Sequence, residues 1–301
     1  MFDLTGSNMK SVRDAIILAG GNGSRMLPAS LYLAKEALPL VDTPILNHLV
    51  WEAARAGVSK VHIILSKRKM ELLKQFLESG SIFEADVRAD LPREALELGV
   101  QAVEIIPHLQ SNPGGVADAI SVALPEIDGP FLVLLGDNLL MDSHVGPRLS
   151  GPEYASNASR ILVEHFKMSG VPNVGVWPVK PSEVEKYGVV EFSEDKILSI
   201  VEKPKSSETP SNYILCGRYL LPENTREILE KYPVWEYGEL QSIQLLNHII
   251  RNDELHAVKF DDMDMYDSGD PLSWLKSQVD HALKRDDIRE ELSTWIKEKI
   301  N

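Results

Sequence analysis

Cysteine is almost absent from this chain of 301 residues, because Cys216 is the only one. A single cysteine excludes an internal disulfide and a zinc site built from several cysteines. Long apolar runs are missing as well, since the longest, 15–19 and 131–135, are far shorter than the roughly 20 residues of a membrane helix. We therefore expect a chain that does not cross a membrane.

Positive charge is scarce relative to negative charge. The chain has 31 Lys and Arg against 45 Asp and Glu, a formal net charge of −14. A nucleic-acid-binding protein needs a basic face, so we expect no nucleic-acid partner. The first residues lack the basic stretch and apolar block of a secretory signal, so the expected location is the cytoplasm. A site for an anionic ligand would have to concentrate the few cations locally.

The first half of the chain shows strand and helix patterns in alternation. An apolar run over 14–19 leads into Gly20-Gly-Asn-Gly and predicts a buried strand that ends in a loop. Apolar residues at helical spacing predict a helix over 44–56. The same patterns predict further strands at 61–65, 100–106 and 131–135, and further helices over 69–78 and from about residue 116. This order predicts an α/β fold with a doubly wound, mostly parallel, Rossmann-like sheet, whose ligands bind at the carboxyl ends of the strands.

The second half has a different pattern. Residues 173–221 are strand-like pieces interrupted by proline and glycine, which favours β-hairpins over crossover connections. From residue 271 onward, apolar residues at helical spacing predict two amphipathic C-terminal helices. These helices are expected to pack on the body of the protein or on another copy of the chain.

The glycine-rich turn after the first strand is a candidate phosphate site. Glycine lets the backbone approach a ligand closely, and successive N–H groups in such a turn can bind phosphate oxygens. The turn lacks the Gly-Lys-Ser/Thr of a P-loop, and Met26 stands where a dinucleotide fingerprint has its third glycine. Arg25 and Lys35 add two cations that could bind phosphate. From spacing alone, a structural turn with two solvated charges remains the alternative.

Two aspartates are candidate metal ligands. Asp137 follows the strand predicted at 131–135, at the sheet edge where ligands bind, and Asp267 precedes Ser268 and Gly269. Mg²⁺ is usually held by one or two carboxylates together with substrate phosphates. Nothing in the spacing pairs these two aspartates, and a turn role for each remains open.

Six segments occur in one recognisable order. They are 15–28, 35–44, 136–138, 187–192, 201–204 and 267–269. Together they resemble the sugar-1-phosphate nucleotidyltransferases over about residues 13–280. The resemblance implies transfer of a nucleotidyl group from a nucleoside triphosphate to a sugar-1-phosphate, with Mg²⁺ as cofactor and a homo-oligomer (dimer or tetramer) as the assembly.

The base specificity is less clear from this resemblance. Glu36 and the segment 26–29 are typical of the uridylyl branch, which uses UTP and glucose-1-phosphate. The segments 136–138 and 211–213 resemble the thymidylyl branch, which uses dTTP, equally well. Asp118 stands where members more often have a neutral polar residue or His, and Ile243-Gln244 replace the usual Thr-Asp.

The resemblance also implies residue roles. Catalytic roles fall on Arg25 and Lys35, and the Mg²⁺ ligands on Asp137 and Asp267. The nucleotide-binding positions are Ala19, Gly20, Gly21, Gly23, Ser24, Arg25, Glu36, Gln110, Gly115 and Asp137. The sugar-phosphate-binding positions are Asn138, Gly188, Glu202, Lys203, Leu215 and Gly217. The expected organisation is an N-terminal tail over 1–12, a nucleotide-binding core over 13–170, a sugar-phosphate-binding part of the same domain over 171–270, and C-terminal helices over 271–301.

Two other functions stay open at this point. A nicotinamide-dependent dehydrogenase is disfavoured by the missing third glycine. A regulatory protein that binds a sugar nucleotide without turnover is disfavoured by the presence of Arg25, Lys35, Asp137 and Asp267 together, because binding alone does not need that charge set.

Overall fold

The computed structural model describes residues 11–74, 103–111, 114–142, 155–231 and 242–300. The strands of these residues are β1 (Asp14–Leu18), β2 (Pro39–Leu40), β3 (Thr43–Pro44), β4 (Lys60–Leu65), β5 (Glu104–Leu109), β6 (Phe131–Leu135), β7 (Asn138–Asp142), β8 (Asn173–Pro178), β9 (Gly188–Ser193), β10 (Lys196–Glu202), β11 (Tyr213–Leu221), β12 (His256–Lys259) and β13 (Met263–Asp267). The α-helices, numbered here in chain order, are α1 (Ile45–Arg55), α2 (Lys67–Leu72), α3 (Val116–Ala123), α4 (Ala158–Ser169), α5 (Thr225–Lys231), α6 (Ser242–Asn252), α7 (Pro271–Lys284) and α8 (Arg289–Ile300).

Nine strands form one twisted sheet in the order β5-β4-β1-β6-β11-β8-β12-β10-β9. The pairings from β5 to β6 are parallel, as is the β12–β8 pairing, and the other pairings in the sheet are antiparallel. The predicted α/β fold is confirmed, and the antiparallel pairings come from the part predicted to form hairpins. β9 and β10 form such a hairpin. The strands of both halves of the chain therefore contribute to one sheet.

Helices cover both faces of this sheet. One apolar cluster packs α1 and α4 against side chains such as Ile17 and Ile63, and the other packs α3, α5 and α6 against Ile16 and Ile64. Adjacent residues of one strand point to opposite faces, so the continuous apolar run of β1 is buried on both sides. This is the doubly wound arrangement, and it leaves the ends of the strands open for a ligand.

Two predicted elements have different bounds in the structure. The helix predicted over 69–78 begins at Lys67, after Ser66, and ends at Leu72; residues 75–78 lie outside the described residues. Serine is a common residue before a first helical turn, and the charged run that follows it hid this start from the apolar pattern. The strand predicted over 100–106 is Glu104–Leu109, and its first residues, 100–102, lie outside the described part. It continues through Pro107 because β5 is an edge strand, where proline is tolerated.

The two C-terminal helices are confirmed as α7 and α8. Asp270 caps α7, because its side chain accepts hydrogen bonds from the backbone N–H groups of Leu272 and Ser273 at 3.0 Å. In α8, the large apolar residues Trp295 and Ile300 are 53% and 80% exposed. The predicted homo-oligomer stays a prediction. Among the described residues, none of the helices is long and apolar enough to span a bilayer.

Candidate functional site

The glycine-rich turn lies at the carboxyl end of β1, in the middle of the parallel part of the sheet. Gly23 has φ = 64°, a conformation that glycine adopts at no steric cost, and it starts the short 3₁₀ turn Ser24–Met26. Gly21, Ser24 and Arg25 are exposed, whereas Met26 is buried and anchors the turn. The turn is therefore exposed to solvent at the carboxyl end of β1, where a phosphate could reach it.

Lys35 and Asp137 meet at this edge. Asp137 lies between β6 and β7, and its Oδ2 accepts a hydrogen bond from Lys35 Nζ at 2.6 Å. The side chains are 12% and 26% exposed, so the pair is partly open. Burial favours the neutral form of Asp137, but the charge and hydrogen bond of Lys35 outweigh that effect and hold the pKa of Asp137 below its usual value. The aspartate is ionised at neutral pH and available to a cation.

Asp267 joins the same site through a two-stranded ribbon. β13 pairs with β7 in antiparallel register, with Asp267 opposite Asn138, the residue after Asp137. The backbone N–H of Ser268 donates to the carbonyl oxygen of Asp137 at 3.0 Å. Burial, together with the negative charge of Asp137, raises the pKa of Asp267. The structure thus brings together two carboxylates that are 130 residues apart in the numbering.

Arg25 approaches the same two carboxylates. Its positive charge contributes to the lowered pKa of Asp137 and opposes part of the rise in the pKa of Asp267. A Cβ atom at Gly269 would lie 2.7 Å from Arg25 Nη2, so the guanidinium group lies directly against this glycine. The Gly269 N–H also donates to Asp267 Oδ1 at 2.6 Å. The loop after β13 therefore places a carboxylate and a guanidinium side by side.

Gln110 lies close to the glycine-rich turn. Gln110 follows β5, and its Oε1 lies 2.9 Å from the point where a Cβ at Gly20 would stand. Its Nε2 donates to Asp118 Oδ2 at 2.7 Å. Gly115 precedes α3 with φ = 95°. The unusual Asp118 is thus the hydrogen-bond partner of the predicted base-reading glutamine.

Three of the predicted sugar-phosphate positions, Gly188, Glu202 and Lys203, lie together where β9 begins and β10 ends. Gly188 starts β9 and pairs with Glu202 at the end of β10, and β9 also pairs with β11 next to Leu215. Lys203 Nζ lies 3.1 Å from Glu202 Oε1, and both side chains are more than half exposed. The backbone N–H of Lys203 donates to the carbonyl oxygen of Tyr187 at 2.9 Å, and burial, together with the charge of Asp267, raises the pKa of Tyr187.

Lys69 is a buried site residue that the sequence analysis missed. Its Nζ donates to both carboxylate oxygens of Glu36, at 2.8 and 2.7 Å, and to the carbonyl oxygen of Ala19 at 2.7 Å. Glu36 is fully buried, so the contact that the structure shows for it is with Lys69; its predicted contact with nucleotide stays a prediction. Through these hydrogen bonds Lys69 links Ala19, at the end of β1, to Glu36, the neighbour of Lys35 in the sequence. No sequence signal separated it from its charged neighbours Lys67 and Arg68.

A second buried ion pair was also missed. Arg218, fully buried in β11, donates to Glu52 Oε1 and Oε2 at 2.7 and 2.8 Å. It also donates to the carbonyl oxygens of Asn138 and Gly217, at 3.0 and 3.2 Å. Ser159 Oγ donates to the same Glu52 carboxylate at 2.6 Å. The backbone at two predicted sugar-phosphate positions, Asn138 and Gly217, is therefore held by this pair. The sequence signal that could have revealed the buried pair is a single arginine inside an apolar strand pattern.

The chain is similar to known enzymes over nearly its whole length. UTP–glucose-1-phosphate uridylyltransferase 2 of Staphylococcus saprophyticus is 31% identical over 303 residues, covering 97% of this chain and 100% of its own length. A UDP-glucose pyrophosphorylase structure from Acinetobacter baumanii superposes with a TM-score of 0.81 at 26% identity, covering 95% of this chain and 99% of that one. A UDP-glucose pyrophosphorylase complexed with UDP-glucose gives a TM-score of 0.75 at 25% identity, covering 91% of this chain and 100% of that one.

The family resemblance inferred from the order of six segments is confirmed by these relatives. The sequence pattern of the nucleotidyl transferase family matches residues 14–282, which include the glycine-rich turn, Lys35 and both aspartates. The chain belongs to the nucleotidyl transferase family of enzymes.

Proposed function

We propose that this enzyme transfers the uridylyl group of UTP to glucose-1-phosphate, forming UDP-glucose and pyrophosphate. The observation that carries the proposal is the meeting of Lys35, Asp137, Asp267 and Arg25 beside the glycine-rich turn. The choice of substrates is supported by the relative from Staphylococcus saprophyticus, which is named for UTP and glucose-1-phosphate and matches nearly the whole chain.

The reaction needs charge neutralisation more than proton transfer. A phosphate oxygen of glucose-1-phosphate attacks the α-phosphorus of UTP. The bond from that phosphorus to the oxygen it shares with the β-phosphorus breaks. Pyrophosphate leaves with the bonding electron pair. A phosphate monoester with a second pKa near ~6 is mostly a dianion at neutral pH, so it attacks without a general base. The obstacle is the repulsion between two anions in a protein of net charge −14.

In the proposed mechanism the cations of this chain remove that obstacle. Arg25 and the N–H groups of the glycine-rich turn bind the triphosphate, and Lys35 exchanges its contact with Asp137 for the reacting phosphates. Lys203 binds the phosphate of the sugar. Fixed charges aimed at developing negative charge lower the barrier by electrostatics and by positioning.

The donor set of the two aspartates fits Mg²⁺. Mg²⁺ prefers oxygen ligands, and it is commonly bound by one or two carboxylates plus substrate phosphates. Burial and the negative charge of Asp137 raise the pKa of Asp267, and a cation beside both carboxylates would offset this unfavourable charge. Asp137 and Asp267 would hold the ion, and it would supply positive charge to the phosphates.

The remaining predicted positions complete the proposal. Gln110 and Gly115 read the base, and Gly188, Glu202 and Leu215 contact the sugar. In this scheme the nucleotide binds to the part of the chain over 13–170 and the sugar phosphate to the part over 171–270.

The test is pyrophosphate release by the purified enzyme with Mg²⁺. UTP, dTTP and CTP are each combined with glucose-1-phosphate, galactose-1-phosphate and N-acetylglucosamine-1-phosphate, and a Lys35→Ala preparation controls for contaminating enzymes. We expect the highest kcat/KM for UTP with glucose-1-phosphate. A preference for dTTP would assign the enzyme to the thymidylyl branch. Nucleotide binding without turnover for every pair would instead favour the regulatory sugar-nucleotide-binding protein.

A further inference from the structure

Three parallel strands bring two histidines and an aspartate, none of them assigned a role above, to one face of the sheet. Asp14 is in β1, His62 in β4 and His108 in β5. In the register of these strands, Asp14 pairs with Lys60 and His108 pairs with Ile64. Each of the two side chains is therefore a diagonal neighbour of His62, on the same face, two residues along the strand.

The three side chains form a chain of close polar contacts. His62 Nε2 lies 3.1 Å from Asp14 Oδ1, and His62 Nδ1 lies 2.9 Å from His108 Nε2. A carboxylate only accepts hydrogen bonds, so His62 presents its Nε2–H to Asp14. The Nδ1 atom of a neutral His62 then carries the lone pair, and it points to His108. A carboxylate behind a histidine, fixing the tautomer and the ring orientation, is the usual support of a metal-binding histidine.

Glu126 adds a third donor from a different element. It ends the short 3₁₀ turn Leu124–Glu126, directly after α3. One ligand atom each from His62, His108 and Glu126 lie within 4.8 Å of one another. His62 is fully buried, His108 is partly exposed and Glu126 is exposed, so the cluster opens to solvent on one side. An ion could enter from that side.

From this arrangement we propose that His62, His108 and Glu126 bind a divalent transition-metal ion of the zinc type, with Asp14 orienting His62. Two imidazole nitrogens and one carboxylate oxygen suit Zn²⁺, which often takes three protein ligands and a water. Two nitrogens that bind one Zn²⁺ at about 2.0–2.1 Å with tetrahedral angles are roughly 3.3 Å apart, so the observed 2.9 Å requires only a small opening of the two rings. Mg²⁺, which prefers oxygen ligands, is a poor occupant.

A second histidine pair in the same chain shows what the first pair has in addition. His165 Nε2 lies 2.9 Å from His256 Nδ1, the same separation as in the first pair. Here the nearby carboxylate, Glu254, contacts Nε2 of His256, the ring nitrogen that does not face His165. The three donor groups therefore do not converge on one point. This pair is a matched control, because it has the same residue types without the convergence.

The proposed ion would connect two elements that flank the nucleotide site. His108 is two residues before Gln110, and Glu126 follows the helix that begins after Gly115 and carries Asp118. Binding would therefore brace the edge strand β5 against the turn that follows α3. The metal site itself depends only on its own geometry and stands whether or not the proposed reaction is correct.

The experiment measures Zn²⁺ binding to the purified full-length chain, prepared without a histidine tag and freed of metal with a chelator. Zn²⁺ is titrated in competition with a chromophoric zinc indicator, in the presence of excess Mg²⁺ to occupy Asp137 and Asp267. We expect one Zn²⁺ per chain. His108→Asn and Glu126→Gln should each weaken binding by about tenfold or more, and Asp14→Asn by roughly 10- to 100-fold. His256→Asn, at the control pair, should bind Zn²⁺ like the wild type.

Thermal unfolding supplies a second readout that does not involve activity. Zn²⁺ should raise the Tm of the wild type and of His256→Asn, and at the same Zn²⁺ concentration it should raise the Tm of Glu126→Gln less, because a ligand that binds only the folded state stabilises it more the more tightly it binds. Glu126 is exposed, so this variant is expected to fold. Wild-type protein that fails to compete for Zn²⁺ would overturn the proposal. Equal Zn²⁺ affinity for the wild type, His108→Asn and Glu126→Gln would also overturn it.

Discussion

Two ion pairs with similar N–O distances have different roles in this enzyme. Lys35 and Asp137 are 2.6 Å apart at the open edge of the sheet, with side chains 12% and 26% exposed. Arg218 and Glu52 are 2.7 Å apart in the interior and almost completely buried. The first pair can exchange its partner for a phosphate or a cation. The second pair is shut off from solvent, and its remaining hydrogen bonds go to Ser159 and to the backbone at Asn138 and Gly217.

The difference shows that distance alone does not reveal the role of an ion pair. Removing one member of a buried pair leaves a charge in a medium that cannot solvate it. Removing one member of a partly open pair lets water compensate, so stability changes little while any reaction that uses the charge suffers. The following changes separate these two effects.

Arg218→Met should produce the largest effect, on stability. Glu52 would remain buried without its main partner, so the free energy of unfolding should fall by roughly 3–5 kcal/mol. Urea unfolding followed by circular dichroism measures the change. The double variant Glu52→Met/Arg218→Met removes the stranded charge and should recover part of the loss. If Arg218→Met were as stable as the wild type, the closed pair would have no structural role and the comparison would fail.

Lys35→Ala should produce the largest effect on turnover. We expect kcat to fall on the order of 10²-fold or more, because a charge aimed at the reacting phosphates is lost. The free energy of unfolding should change by about 1 kcal/mol or less. Steady-state pyrophosphate release measures kcat, and urea unfolding measures the free energy of unfolding. Lys60→Ala removes an exposed lysine 3.9 Å from Glu104 and should change neither quantity. Normal turnover by Lys35→Ala would contradict the site assignment.

The pH dependence of stability tests His48, a histidine whose charged form is destabilised by burial. His48 lies on α1, one turn before Glu52; burial, together with the charge of His281, lowers the pKa of His48 to about 3. Burial also lowers the pKa of His281 to about 4. As the pH falls below about 6.5, these histidines gain protons in the unfolded chain but not in the folded protein. The free energy of unfolding should therefore fall with pH between about 6.5 and 4, by up to about 1.4 kcal/mol per pH unit for each histidine.

Urea midpoints measured at a series of pH values check this dependence. His48→Phe keeps an aromatic ring and removes the titrating group, so its stability should depend less steeply on pH than that of the wild type. Equal slopes for the two proteins would show that His48 does not control the loss of stability in acid.

Asp118→Asn should produce the smallest effect, on the choice of base. The carboxylate accepts a hydrogen bond from Gln110 Nε2 and so forces the amide group into one orientation. Asparagine at position 118 can either accept from or donate to the Gln110 side chain, so the amide group of Gln110 can take both orientations. One orientation suits uracil and the other suits cytosine. We expect the ratio of kcat/KM for UTP over CTP to fall by about tenfold or less, the value of roughly one hydrogen bond. The KM for glucose-1-phosphate serves as the control and should stay constant. An unchanged UTP over CTP ratio would exclude Asp118 as the group that orients Gln110.

Most of the fold could be predicted from local patterns. The strands at 14–18 and 131–135 and the helix at 45–55 are long apolar or periodic segments with clear ends, so burial dictates their structure. The strand at 104–109 was placed too early because an edge strand with alternating exposure carries a weak apolar signal. The helix at 67–72 was placed too late because its first turn is entirely charged.

The candidate site was predictable only in part. The family resemblance pointed to Lys35, Asp137 and Asp267, but spacing could not pair the two aspartates, which meet through the β7–β13 ribbon. Lys69 and Arg218 carry no local signal of their partners, because Glu36 and Glu52 lie 33 and 166 residues away. Such contacts depend on how distant segments pack.

The sequence by itself determined the alternation of strands and helices, the glycine-rich turn after β1, and the family. Those features depend on hydrophobic periodicity and on glycine, whose effects act within a few residues. Only the tertiary structure decided which charged side chains are accessible to solvent and which are buried. It brought Lys35 to the partly exposed Asp137 and buried Lys69 against the carbonyl oxygen of Ala19. It also brought His62 into contact with Asp14 and His108. The strength and the role of a charge depend on its solvation and on its neighbours in space, and the folded sheet alone sets both.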